Sequence, residues 1–385
     1  TEIYTLSLHD ALPIWQSASN YLKSGKLDKA VEAINTCVQD ASTSRDAKSW
    51  MLRGHIYLEI YDSKIDAFKA LDADPVPKAL ESYKNAVSFD PKKEYYDEIF
   101  AKVNWMSDQY YNKAVDNYNN KDFKSAMENF GRSADVLEIV NFKDTTSLLN
   151  AAACATLADE KESAIVYYKK LINANYKTAN LFVSMSDTYR QLNDSANALA
   201  AVRQGQKEFP ADNRLFLAET NIYLTFNDTE KALKNLRQAL VQDPENYTVA
   251  FALGTIHDNI ANDNTKPAEV RSEAFNSAVE AYKNSLKIKP DYFDGCYNLG
   301  ALYVNKAAGK LDEANNLPVD ATEKYEKLTG EANELLGLAL PYLEKASELQ
   351  PADLNTLFSL KQIYTRTHQN DKAKMIQEKI NEIQK

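Results

Sequence analysis

The side chains that most often perform chemistry in enzymes are few and scattered in this sequence. None of its four histidines, His9, His55, His257 and His368, has a second histidine four residues away or a glutamate three residues before it. Those spacings let a helix present zinc or di-iron ligands on one face. The sequence also contains no glycine-rich phosphate loop and no Gly-x-Ser-x-Gly elbow. We therefore predict that the protein is not an enzyme and holds no metal or cofactor.

Cysteine usage and charge exclude several other kinds of site and partner. Cys37, Cys154 and Cys296 are far apart and odd in number, which favours neither a disulfide framework nor a metal site. We expect them to be small apolar residues inside helices. The formal net charge of -10 would repel a phosphate backbone or an anionic membrane surface, so we expect no nucleic-acid partner. No apolar run reaches the roughly 18 residues that cross a bilayer.

Length and composition indicate a folded chain whose core is not a single globule. The 385 residues exceed what one hydrophobic core usually supports. The 10 glycines and 11 prolines are too few for a turn-dense all-β protein, and the 44% of hydrophobic residues suffices for a buried core. We expect either two domains or an elongated architecture whose core grows along one axis.

An alanine recurs along the chain, in places with a period of 34 residues. Ala164, Ala198 and Ala232 are separated by 34 residues, and so are Ala339 and Ala373. Less regular members at Ala30, Ala79, Ala126 and Ala278 complete a set of nine, which we call the anchor alanines. Self-similarity at such a period is the signature of stacked supersecondary units.

Further residues keep fixed distances from the anchor alanines. A proline follows by twelve residues at five places, where a helix should end because proline has no amide hydrogen and restricts the residue before it; these are Pro91, Pro210, Pro244, Pro290 and Pro351. A tyrosine precedes by nine residues at Tyr21, Tyr189, Tyr223 and Tyr364. Aspartates that can accept a hydrogen bond from an orphan amide precede the predicted second helices at Asp122, Asp194 and Asp228.

This pattern resembles the tetratricopeptide repeat, a 34-residue helix-turn-helix unit. The match is close in the series Trp50, Gly54, Tyr57, Ala79, Tyr83, Ala86 and Pro91, and in the series Leu299, Gly300, Tyr303, Ala339, Ala346 and Pro351. The resemblance covers about residues 15–385. It implies an all-α, right-handed superhelical solenoid of about nine repeats with insertions, in which the glycines and anchor alanines let two helices cross closely.

In proteins that this sequence resembles, the first helices of successive repeats line a concave groove whose side chains select the ligand. The resemblance gives an amide-rich and aromatic set of groove candidates: Tyr111, Asn112, Tyr118, Asn150, Asp187, Arg190, Arg214, Asn221, Phe251, Asp258, Tyr297 and Asn298. Asparagine both donates and accepts hydrogen bonds, which suits the backbone of an extended peptide. The alternative interpretation is that each candidate is a polar side chain on a solvated helix face or, for the tyrosines, part of the core.

Two known variants of the family do not account for these residues. The carboxylate clamp that grips chaperone C termini needs a lysine in a first helix, but its positions here hold Met51, Leu149, Val183, Leu217 and Phe251. The asparagine ladder of glycosyltransferase-linked repeats is matched only in part, by Asn112, Asn150 and Asn298.

Three repeats contain insertions at the turn between their two helices. The extra residues number 13 between Tyr57 and Ala79, 12 between His257 and Ala278, and 27 between Tyr303 and Ala339. They are either tolerated loops or a partner-facing rim. We expect the third insertion to be mostly helical and Pro341 to kink its helix. The 13 extra residues between Pro91 and Ala126 predict one long first helix.

Residues 1–14 match no repeat position and resemble a string known from translated sequencing adapters. We interpret them as a non-native leader and residues 15–385 as a single solenoid. On this interpretation the native beginning has been lost, and the sequence does not predict whether an export signal or a further domain precedes residue 15. The compartment, cytoplasmic or periplasmic, stays open.

We predict a non-enzymatic scaffold that binds a peptide or protein segment in its groove. Two alternatives stay open at this stage. The first is a cell-envelope accessory protein that binds carbohydrate or an outer-surface component, and the second is the regulatory repeat region of a larger enzyme. The sequence does not predict the oligomeric state.

Overall fold

The computed structural model describes the backbone of residues 8–384, with side chains from residue 14 onward. Every regular element within these residues is an α-helix, so the all-α prediction is confirmed. Residues 1–7 of the interpreted leader lie outside the described residues, whereas residues 8–14 belong to the first helix. The non-native origin of the leader stays a prediction.

Between residues 8 and 384 the helices follow one another as nine pairs, as predicted. They are α1 (Leu8–Lys23) and α2 (Leu27–Gln39), α3 (Ala47–Asp62) and α5 (Pro75–Ser88), α6 (Tyr96–Asn119) and α7 (Phe123–Glu138), α8 (Thr145–Leu157) and α9 (Lys161–Asn173), α10 (Ala179–Gln191) and α11 (Ser195–Glu208), α12 (Asn213–Thr225) and α13 (Thr229–Gln242), α14 (Tyr247–Asn262) and α15 (Ala268–Ile288), α16 (Phe293–Asn315) and α17 (Thr322–Leu349), and α18 (Leu354–Arg366) and α19 (Asn370–Ile383). A single turn of helix, α4 (Asp66–Lys69), stands between α3 and α5.

The pairs belong to two compact units, which meet in the sequence between Leu181 and Phe182. The first unit contains α1 to α9, and the second contains most of α10 and all helices after it. Within each unit, the second helix of one pair packs against the first helix of the next, as α2 does on α3 and α13 on α14. The prediction of a single solenoid over residues 15–385 stays a prediction.

The anchor alanines mark the place where the two helices of a pair cross. Eight of them, all except Ala373, are at most 1% exposed. Ala373 is only half-buried because no later helix among the described residues covers α19. The alanine period therefore reports a packing constraint, since one pair buries its apolar face only with its neighbours.

The prolines end second helices as the sequence predicts. The helices α11, α13, α15 and α17 end two residues before Pro210, Pro244, Pro290 and Pro351. The residue before each of these prolines has φ between -131° and -136° and ψ between 66° and 89°. This non-helical backbone avoids the clash of a helical residue with the proline ring, so the helix ends there.

The turns of the uninterrupted pairs share a residue with positive φ, although the type of residue at this position varies. The residue five before the anchor alanine has φ between 58° and 70° in six pairs, at Gly25, Lys121, Asp159, Asn193, Asn227 and His368. Asp122, Asp194 and Asp228 follow three of these residues and cap the second helices by accepting from the backbone of Ser125, Asn197 and Lys231. The prediction that these aspartates cap the second helices is confirmed. The left-handed residue in the turn was not predicted from the sequence.

The insertions lengthen helices more than they add loops. The second insertion is absorbed by a 21-residue α15, and the third by a 23-residue α16 and a 28-residue α17. The predicted long first helix is confirmed as the 24-residue α6. The helix α17 continues through Pro341, and the predicted kink stays a prediction. The first insertion contains α4 and the turns on either side of it.

Glycines in three first helices lie directly against a large side chain of the second helix. A Cβ atom built on Gly54 would lie 2.5 Å from Cε1 of Tyr83, and one on Gly254 would lie 2.6 Å from Cδ1 of Tyr282. Gly300 stands in the same relation to Leu343, at 2.6 Å from its Cγ. The close helix crossing that the sequence predicts at these glycines is therefore confirmed.

We expect Gly254→Ala to destabilise the second unit by about 1–3 kcal/mol, because the added methyl group overlaps the ring of the fully buried Tyr282. Gly309→Ala in α16 is the matched control, since no atom lies within 4 Å of its built Cβ. The control should gain roughly 0.5–1 kcal/mol from the loss of glycine flexibility in the unfolded chain. Urea denaturation followed by circular dichroism measures both changes. Equal midpoints for the two variants would contradict the close crossing.

We expect Lys121→Gly to stabilise the first unit by about 0.5–1 kcal/mol, because a side chain at φ 61° is strained and glycine is not. Lys113→Gly, at an exposed site inside α6, is the control and should cost about 1 kcal/mol. Thermal unfolding of both variants measures whether each substitution raises or lowers the stability of the unit. A loss of similar size at both sites would show that residue 121 is not held in the left-handed region.

Candidate functional site

The first helices of the second unit form the most continuous set of candidate residues. The helix α12 contacts α14, α14 contacts α16, and α16 contacts α18. Six of the sequence-predicted groove residues lie on the first three of these helices and are exposed or half-buried. One of them, Arg214, pairs with Asp212, and the other five are Asn221, Phe251, Asp258, Tyr297 and Asn298. We call these five residues the α12–α16 face.

Aromatic rings form the apolar part of the α12–α16 face. The ring centroid of Phe251 lies 5.5 Å from that of Tyr282 and 5.2 Å from that of Tyr292. Tyr247 packs edge-on against Tyr292 at 5.0 Å, and Tyr297 stacks on Phe293 at 6.1 Å. Because each ring packs on another ring, the half-buried side chains of Phe251 and Tyr297 present apolar area in defined positions.

Asp258 supplies a negative charge beside these rings. Its Oδ2 lies 3.2 Å from the hydroxyl of Tyr282, and its Oδ1 accepts from the side-chain amide of Asn262 at 2.6 Å. Burial raises the pKa of the Asp258 carboxyl, and the hydrogen bonds from Tyr282 and Asn262 only partly oppose this. Tyr282 therefore links Phe251, through its ring, to Asp258, through its hydroxyl.

Two amide side chains of the face have no partner among the residues that the structure describes. Asn221 is exposed on α12, and Asn298 is half-buried on α16 beside Tyr297. Each amide keeps two N–H donors and one carbonyl acceptor for a ligand. The two asparagines thus lie on the helices that flank α14, which carries Phe251 and Asp258.

The three charged candidates near the start of the second unit have internal partners. Arg190 donates from Nε to Asp187 at 3.2 Å and from Nη1 to Thr225 at 3.3 Å. Arg214 donates to both carboxylate oxygens of Asp212, the N-cap residue of α12. For Asp187, Arg190 and Arg214, the alternative interpretation of paired surface charges is therefore supported.

The four remaining candidates lie in the first unit. The structure brings Tyr111 of α6 and Asn150 of α8 together, with the amide donating to the tyrosine hydroxyl at 3.2 Å. The ring of Tyr111 also packs edge-on against Phe130 at 5.1 Å. Asn112 is exposed, and Tyr118 is 46% exposed. The hydrogen bond joins the successive first helices α6 and α8, whereas the ring contact joins α6 to α7 of its own pair. The side chain of Asn150 is therefore already engaged.

Sequence reasoning missed a network around a buried carboxylate in the second unit. Glu219 of α12 accepts hydrogen bonds from Arg203 at 3.1 Å, Gln206 at 2.9 Å and Tyr223 at 3.0 Å. Glu219 is only 6% exposed, so these donors replace its lost hydration. The position was missed because only residues projected onto the groove side of first helices were considered, and Glu219 faces the preceding second helix.

A second missed network surrounds Arg53 in the first unit. Its guanidinium donates to Asn35 at 2.9 Å, Ser82 at 2.7 Å and Glu81 at 3.2 Å. The same group lies over the ring of Tyr57, 4.9 Å from its centroid. Because Arg53 connects α2, α3 and α5, we interpret this network as a structural tie between two helix pairs.

The histidines and cysteines within the described residues belong to no cluster that could bind a metal ion. No group of three or more histidine, cysteine or acidic residues there is placed to hold a metal ion. Burial and the nearby Lys102 lower the pKa of His55 to about 4, and burial and Arg237 lower that of His257. The cysteines are buried and free, as predicted for small apolar residues in helices. The side chain of His9 lies outside the described residues.

In the part of the chain that the structure describes, no helix combines the length and the apolar character required to cross a membrane.

Comparison with known proteins gives a family match for part of the chain. Residues 134–273 match the family described as "Tetratricopeptide repeat protein 21 ARM repeat". No curated protein matches the chain.

Solved structures with matching helical repeats include three examples of low identity. MamA from Desulfovibrio magneticus RS-1 is 15% identical, with 55% of this chain and 97% of that chain covered and a TM-score of 0.35. A TPR repeats protein from Bacteroides fragilis NCTC 9343 is 19% identical, with coverage of 68% and 98% and a TM-score of 0.29. YrrB, described as a TPR protein with an unusual peptide-binding site, is 17% identical, with coverage of 57% and 92% and a TM-score of 0.32.

In the described part of the chain, the nine helix pairs and the buried anchor alanines form a helical-repeat fold, and residues 134–273 match a tetratricopeptide-repeat family.

Proposed function

We propose that this protein is a non-enzymatic scaffold that binds an extended peptide or a protein segment on the α12–α16 face. The observation that carries the proposal is the pair of amides, Asn221 and Asn298, that have no partner among the described residues and flank the aromatic surface of α14. Repeat folds of this type are typical of protein-binding scaffolds. The fold alone does not assign a ligand, so the proposal depends on these side chains.

The chemistry of the α12–α16 face suits a peptide backbone. An extended peptide exposes amide donors and carbonyl acceptors that are not used in its own secondary structure. An asparagine side chain can pair with both groups at once, and rings such as Phe251 and Tyr297 give contact area without a large loss of side-chain entropy. The paired candidates Asp187, Arg190 and Arg214 are left out of the proposed site because their charges are already satisfied internally.

Peptide binding should depend on the side-chain amides of Asn221 and Asn298 and not on asparagines elsewhere on the surface. Peptides would be selected against the full chain from a random display library, and their dissociation constants measured by fluorescence polarisation. We expect Asn221→Ala together with Asn298→Ala to weaken the selected peptides about 5- to 100-fold, since each lost hydrogen bond is worth roughly 0.5–1.5 kcal/mol. The melting temperature should be unchanged, because neither amide has a partner among the described residues.

The matched control is Asn276→Ala together with Asn284→Ala, at two exposed sites of α15, a second helix. We expect this control to bind the selected peptides like the unmodified chain. Equal loss in both double variants, or no selected peptide at all, would refute the proposed site. Binding on a glycan array without any selected peptide would favour the carbohydrate alternative instead.

A further inference from the structure

Most acidic side chains on the first helices of the second unit have an internal role that accounts for them. Asp187 pairs with Arg190, and Asp353 caps α18 by accepting from Thr356. Asp294 lies in the first turn of α16, where the helix dipole favours a negative charge. Asp258 has no such role, because it lies in the interior of α14 and caps nothing.

The surroundings of Asp258 leave its negative charge unbalanced. Its hydrogen-bond donors, the Tyr282 hydroxyl and the Asn262 amide, are both neutral. Among the described residues, no lysine, arginine or histidine nitrogen lies within 4.0 Å of its carboxylate oxygens. A carboxylate has about four acceptor sites, and two neutral donors leave some of them open.

The burial of this carboxylate has a free-energy cost that no cation among the described residues offsets by an ion pair. Partial removal of Asp258 from water raises its pKa, which means that the ionised form is disfavoured where it stands. A cation brought to the carboxylate would reverse that effect. The site is thus better matched to a charged partner than to water alone.

Resting on the proposed function, we infer that the peptide bound on the α12–α16 face carries a lysine or arginine side chain that pairs with Asp258. Phe251 and Asp258 are seven residues apart on α14 and therefore lie on the same side of the helix, two turns from one another. The apolar stem of the cationic side chain packs along the aromatic surface next to Phe251, and its charged end reaches the carboxylate. The chain's net charge of -10 favours the approach of such a partner.

A double-mutant cycle tests the pairing. Selected peptides should be enriched in lysine or arginine at one position, and replacing that residue by norleucine or citrulline should weaken binding to the unmodified chain about tenfold or more. Asp258→Asn should cause a similar loss with the original peptide, because the amide keeps the shape but not the charge. The peptide substitution should have little further effect on the Asp258→Asn variant, since the pair is already broken.

Asp187→Asn is the matched control, because Asp187 is a half-buried aspartate on a first helix that already pairs with Arg190. It should bind the original peptide with the affinity of the unmodified chain. If Asp258→Asn does not fold, the lysine-to-norleucine or arginine-to-citrulline peptides still test the pairing on the unmodified chain.

The two proposals fail in distinguishable ways. Selected peptides that bind through Asn221 and Asn298 but show no basic position, or that lose nothing when the basic residue is neutralised, would overturn the pairing and leave the scaffold function standing. The absence of any bound peptide would overturn both.

Discussion

The close crossing of the two helices in each pair is the constraint on which the rest of this structure depends. At the crossing, the second helix presents an anchor alanine that is almost fully buried, and in three pairs the first helix presents a glycine. A residue four positions after the anchor, such as Tyr83 or Tyr282, then fills the space that the glycine leaves. Packing at this density tolerates little added volume, because protein interiors are filled like organic crystals.

This constraint also separates the positions that hold the fold from those that are free to serve another purpose. A first helix such as α14 buries one side against α15 in its own pair and another against the preceding second helix, α13. The remaining side takes a smaller part in the packing, so its residues can differ from pair to pair. On α14 that side carries Phe251 and Asp258, whereas on α12 it carries Asn221. Repeat proteins bind different ligands because residues on the exposed side vary while the packing residues of the repeat stay the same.

The same logic explains how the chain accommodates extra residues. The crossing point is fixed, but the ends of the two helices beyond it are not, so a pair can grow outward from the turn without disturbing its neighbours. In the pair α16 and α17, the added residues continue both helices, and Ala307, Leu328 and Ala332 are buried between them. The extra apolar contacts stabilise the longer helices. A long flexible loop would provide no such contacts to offset the entropy lost when it is ordered.

The order of helices, their ends and the crossing points could be predicted from the sequence, because they follow from local rules. Proline ends a helix through its own ring, aspartate caps through its own side chain, and the alanine period marks a contact that every repeat makes in the same way. The candidate residues of the site could also be named, since their positions on the first helices follow from the same period. All twelve lie on first helices as expected.

Which of those candidates are available to a ligand was decided only by tertiary structure. Asparagine at position 150 and asparagine at position 298 look alike in sequence, yet Asn150 bonds to Tyr111 from another helix pair and Asn298 has no partner among the described residues. The buried Glu219 and Arg53 networks and the unbalanced charge of Asp258 likewise depend on side chains that are distant in sequence. The periodic contact determined by the sequence fixes where each helix lies, but the partner of a polar side chain depends on what the neighbouring helices bring within hydrogen-bond distance.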